Sequence, residues 1–107
     1  MADDKLIFGL AEHHYRALVD VFGRFGSIKR VLIFGSRAKG SAKPWSDIDL
    51  AVIAPEMSDQ EFSQLLQELY GLDLVFKLDL LHWDRLTGQP KLRETIELHG
   101  LDFLNAT

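Results

Sequence analysis

Asp47 and Asp49 stand on either side of Ile48, and the chain then runs into Leu50-Ala51-Val52-Ile53. Side chains alternate along a β-strand, so carboxylates one residue apart share a face, with Cβ atoms about 6–7 Å apart. Like charges held that close on a strand that otherwise wants burial are costly unless a cation neutralises them. A hard divalent ion with oxygen ligands, most simply Mg²⁺, fits the pair. Upstream, Gly35-Ser36 directly follows the apolar run Val31-Leu32-Ile33-Phe34. Glycine removes steric bulk, and a helical turn after it would offer unpaired N–H groups to an anion such as a phosphate.

The elements that must position these groups can be read from periodicity. Leu18, Val21, Phe22 and Phe25 fall on one helical face, which predicts a first helix from Leu10 to about Arg24 with Gly26 as its stop. Lys29–Phe34 reads as a buried strand, and Gly35–Ser46 as a loop with room for a helical turn at Arg37-Ala38-Lys39. Asp47–Ala54 reads as a second strand closed by Pro55. Ser58 with Glu61 has the form of a capping box, followed by Phe62, Leu65, Leu66 and Leu69 at helical spacing and by Gly71. Leu74–Leu81 reads as a third strand carrying Asp79, and Pro90 opens a last helix that turns Leu92 and Ile96 inward and ends at Gly100. Three strands bearing Asp47, Asp49 and Asp79 can form one small sheet, with the helices on one face and the acids open to solvent on the other. Asp73, beside a turn, and Asp84, past the strand end, are the rivals to Asp79.

The 107 residues fit a single domain, 1–107. A 47% apolar and 26% charged composition is that of an ordinary globular chain. No run is long enough to span a membrane, and the acids in MADDK are the wrong charge for a secretory signal. With no cysteine, disulfides and thiolate metal sites are excluded, and the cytoplasm is the expected compartment. A net charge of −4 argues against gripping a long nucleic acid, although Lys29, Arg30, Arg37, Lys39 and Lys43 gather positive charge near the motif. A nucleotide polyphosphate needs only such a local patch. His13, His14, His82 and His99 form no metal-spaced pair, and His82 is expected to be structural or exposed. Trp45 could stack on a base, cover the core edge or touch a partner.

Taken together, Gly-Ser after a strand, a polar loop, Asp-x-Asp on the next strand and a lone Asp on a third resemble the minimal nucleotidyltransferases of the DNA polymerase β superfamily. The segment GSRAKGSAKPWSDIDL carries the likeness, which extends to the closing Ile96-Glu97-Leu98-His99-Gly100-Leu101. The resemblance implies an α+β fold, a small mixed β-sheet with helices packed on one face, of the polymerase β-like palm type. It implies Asp47, Asp49 and Asp79 as catalytic residues holding two Mg²⁺ ions, with Asp79 helping to deprotonate an attacking hydroxyl. Gly35, Ser36, Arg37 and Ser46 would meet the nucleotide, ATP, although Arg37 and Lys39 could equally be solvated. Lys39 stands where arginine is usual, and Pro44-Trp45 lies where such sequences vary.

The activity so implied is transfer of AMP from ATP to a hydroxyl. Chains of this kind are commonly paired with a small helical HEPN-type protein and act as its antitoxin, some by modifying a tyrosine of that partner. A non-catalytic module that masks its partner, or an enzyme acting on a small molecule, are the alternatives.

Overall fold

The computed structural model describes residues 6–43 and 45–106. Residues 1–5, on which the expectation of no secretory signal rested, and Pro44 of the loop lie outside the described residues. The described residues open with a hairpin of β1 (Leu6–Ile7) and β2 (Leu10–Ala11), turned by Phe8 (φ 55) and Gly9 (φ 76). Two successive positive φ values match the right-handed twist of a tight hairpin. The first helix, α1, therefore starts late, at Glu12, and runs to Phe22. Gly23 caps it, rather than Gly26, and Phe25 still reaches the core from the turn that follows.

Among the described residues the main sheet has four strands in the order β5-β4-β3-β6. Strand β3 (Arg30–Phe34) pairs antiparallel with β4 (Ile48–Ile53), and β4 pairs parallel with β5 (Leu78–His82). Between β3 and β4 lies the short helix α2 (Ser36–Lys39). Parallel neighbours need a crossover, and α3 (Asp59–Tyr70) lies in the β4–β5 connection. The Ser58 hydroxyl accepts the Glu61 N–H at 3.1 Å, so the expected cap forms. Helix α4 (Pro90–His99) follows, and β6 (Leu101–Asp102) joins the free edge of β3. Only two residues long, β6 shows no alternation in the sequence; the sheet is therefore one strand wider than expected. Strand β5 also begins later than expected, at Leu78, because Gly71–Lys77 is taken up by turns and bends.

One sheet face packs Val31, Ile33, Ile48, Leu50, Val52 and Leu78 against α1 and α3. The opposite face carries Leu32, Phe34 and Ala51, with Ile53 and Leu81 beside them. It was expected to stay open, but α4 covers one end of it through Ile96, which is fully buried, and Leu92. Asp49 and Asp79 alternate onto this same face, beyond the part that α4 covers. Among the described residues, no helix is long and apolar enough to cross a membrane.

Candidate functional site

Strand β4 presents Ile48, Leu50 and Val52 to the helical core, so Asp49 faces away from it. The parallel register sets Asp49 directly beside Asp79 on β5. Asp47 precedes the first residue of β4 and is exposed. Of the expected trio, the structure thus brings two into contact and leaves the third at the solvent lip. Among the described residues, no three His, Asp or Glu side chains are gathered around one point as metal ligands.

The electrostatics nevertheless link all three acids. Asp49 is half-buried, and burial is the largest cause raising its carboxyl above the ordinary carboxylate range. The negative charges of Asp79 and Asp47 add to the shift, as does a side-chain hydrogen bond with Asp79. Two ionised carboxylates cannot hydrogen-bond each other, since both only accept. Their contact needs a shared proton or a bridging cation, so the donor set suits a hard divalent ion. Lys77 approaches Asp79 at 3.8 Å, but both side chains are well exposed and the pair is weak.

Gly35 closes the site from β3. Its neighbour Phe34 pairs with Asp49, and Gly35 adopts φ 81 and ψ −154, a conformation reserved almost entirely for glycine. A Cβ built there would lie 2.6 Å from Asp49 Oδ2. The glycine is thus the space into which the carboxylate fits. Ser36 begins α2, and its carbonyl accepts the Ser41 N–H at 3.1 Å. Ser46 folds its loop back by accepting the Lys43 N–H at 2.8 Å on its hydroxyl.

Arg37 does not lie open to a ligand, nor is it solvated. It is 2% exposed, and its guanidinium donates twice to the Ser46 carbonyl, at 3.2 and 2.8 Å, and once to the Phe8 carbonyl at 3.1 Å. Burial lowers its pKa from the ordinary value, opposed by the charge of Asp47. The sequence carries little sign of this, because its partners are backbone carbonyls that no residue type announces. Lys39 remains exposed.

The rivals to Asp79 find other places. Asp73 is exposed between turns. Asp84, in the 3₁₀ turn Trp83–Arg85, accepts the Ala54 N–H at 2.7 Å. His82 is buried, its Nε2 at 2.9 Å from the Ala54 carbonyl and its ring stacked on Phe62, which is the structural role expected. Trp45 is 68% exposed, which removes the core-edge reading.

A family model described as "Polymerase beta, Nucleotidyltransferase" matches residues 16–103, spanning Gly35 and all three acids. The chain belongs to the polymerase β nucleotidyltransferase family. Within it, the chain is 46% identical over 67 residues to the Haemophilus influenzae protein described as "Probable protein adenylyltransferase MntA". That match covers 62% of this chain and 57% of the relative. A crystal structure described as a toxin–antitoxin with AMP-PNP superposes with a TM-score of 0.65 at 22% identity, covering 83% of this chain and 71% of that one. A crystal structure described as "a putative nucleotidyltransferase from Sulfolobus solfataricus" gives a TM-score of 0.50 at 20% identity, over 82% and 73% of the two chains. These likenesses at low identity bear on the fold, and they agree with the mixed sheet and its helices.

Proposed function

We propose that this polymerase β family member is a divalent-cation-dependent nucleotidyltransferase that moves AMP from ATP to a hydroxyl. The acceptor we propose is a tyrosine of a small helical HEPN-type toxin, with this chain as the antitoxin, working in the cytoplasm. The observation that carries the reading is the register of β4 against β5, which sets Asp49 beside Asp79 with Gly35 cut away in front of them. The adenylyl group follows the description of the Haemophilus relative, and the partner takes its lead from that of the toxin–antitoxin neighbour.

In this reading Asp49 and Asp79, joined by Asp47, would hold two Mg²⁺ ions. Bound there, the metal would offset charge on the entering and leaving oxygens of an in-line displacement. Asp79, whose side chain is partly exposed, helps to accept the proton of the acceptor hydroxyl. That oxygen forms a bond to the α-phosphorus, the α–β phosphoanhydride bond breaks, and pyrophosphate leaves with the electron pair. Gly35 lets the nucleotide approach the backbone, while Ser36 and Ser46 border the phosphates.

The test is co-expression with a candidate HEPN-type protein, followed by intact mass and incubation of the purified pair with labelled ATP. One adenylyl group should appear on the partner, and Asp47→Ala with Asp49→Ala should abolish it. Labelling that persists in the double variant refutes the acid site. Protection from the toxin that survives without labelling supports masking instead, and transfer to a small hydroxyl compound alone supports a different acceptor class.

A further inference from the structure

We infer that Arg37 is a positioning residue for the acidic pair: its guanidinium fixes the segments entering β4 and β5 against one another. On one side it donates twice to the carbonyl of Ser46, next to Asp47 and just ahead of the strand carrying Asp49. On another it lies over the ring of Phe76, 5.2 Å from the centroid, just ahead of the strand carrying Asp79. Phe76 is held from its other neighbour by an edge contact with His14 of α1, at 5.6 Å between centroids. Between the two segments, the Ile48 N–H donates to the Lys77 carbonyl at 2.9 Å. The clamp is closed by the Phe8–Gly9 turn, which brings the Phe8 carbonyl to the guanidinium and leaves Gly9 close enough that a Cβ would meet Arg37 Nη1 at 3.1 Å.

One planar, permanently charged fork thus meets both segments that enter the acid-bearing strands. Register along the strands fixes which residues are neighbours, while the clamp fixes how the two strand ends sit as the chain arrives from separate loops. A lysine carries the same charge but not the fork, so it cannot reproduce two bonds to one carbonyl together with stacking on a ring. This difference separates positioning from charge. A residue that serves ATP by its charge tolerates lysine, whereas a residue that serves by shape does not.

The role in turnover rests on the function proposed above, but the clamp itself can be read without turnover. In Arg37→Lys, hydrogen–deuterium exchange over residues 41–49 and 73–79 should accelerate about tenfold in both segments together, with α3 and the helical core unchanged. Uniform acceleration along the chain, or none in the second segment, would overturn the inference. In turnover, kcat should fall about 10–100-fold while KM for ATP stays within about threefold, since misplaced acids slow chemistry more than binding. A raised KM with kcat intact would return Arg37 to phosphate binding and also overturn it. Should Arg37→Lys fail to fold, Phe76→Leu removes the ring and keeps the carbonyl bonds, and the same two segments must loosen to a smaller extent. If the natural protein transfers nothing, the proposed function falls, and the exchange pattern still decides the clamp.

Discussion

Gly35 is the residue at which shape and charge meet most tightly. Any side chain there would have to take up a glycine-only backbone conformation and also displace the Asp49 carboxylate. Gly35→Ala should therefore cost about 1–3 kcal/mol of stability from the backbone alone. It should also lower transfer by about 100-fold, because a displacement near 1 Å at a reacting group has that effect. Thermal melting and single-turnover transfer measure the two losses separately. Asp49 behaves in the opposite sense. Its carboxyl has a raised pKa in the folded chain, so the folded form holds this proton more tightly than the unfolded one. The stability it contributes is complete below the unfolded pKa of about 3.9 and is lost as pH rises through the folded value. Above the folded pKa the ionised group is a burden, and Asp49→Asn should relieve it. We expect Tm to rise at a pH above the folded pKa, with transfer abolished. The gain should vanish in melts near pH 3, and a gain that persists there would contradict this assignment. The Asp49–Asp79 pairing and the space at Gly35 were legible in the sequence, because carboxylates on a strand and a glycine after one are local signals, whereas the structure leaves Asp47 apart at the solvent lip. Arg37 was not, since an arginine's burial is decided by carbonyls and a ring that approach it from elsewhere in the chain.

At the scale of elements, helices and strands differ in how much of themselves they announce. Helix α3 was fully legible: its cap, its apolar stripe and its closing glycine all lie within a few turns of one another. Removing the cap in Ser58→Ala should cost about 1 kcal/mol and lower Tm by about 4–8 °C. Transfer measured well below the melting temperature should be unchanged, because α3 packs on the face away from the acids. Loss of transfer without loss of stability would tie the cap to the site. Strands β3 and β4 were found within a residue of their ends, since each is a short apolar run bounded by turn residues. The β1–β2 hairpin and β6 were missed, being two residues per strand, below the length at which alternation carries information. The late start of β5 has a similar origin. Leu74 and Phe76 look like strand residues, yet they pack against the core from an irregular segment, Phe76 between Arg37 and His14.

At the scale of the whole molecule, the sheet divides its labour between faces. Helices α1 and α3 bury one face, while the other is shared between α4 at one end and the acids beyond it. Closure of the second face by α4 was not legible, because Leu92 and Ile96 show that a helix packs but not upon which side of a sheet. The mutual repulsion left at the acids makes the folded protein responsive to what binds there. Mn²⁺ with a non-hydrolysable ATP analogue at about 100 times its Kd should stabilise the natural chain by about 2.7 kcal/mol, and should leave the Asp47→Ala, Asp49→Ala variant where it was. An equal shift in both would place the ligand elsewhere. The β4–β5 connection through α3 has one more outcome. Asp49 comes before it and Asp79 after it, so a break within Gly71–Lys77 would give two pieces, each holding half of the chemistry and inert alone. Tethered to two proteins that meet, such halves would report the encounter by regaining turnover.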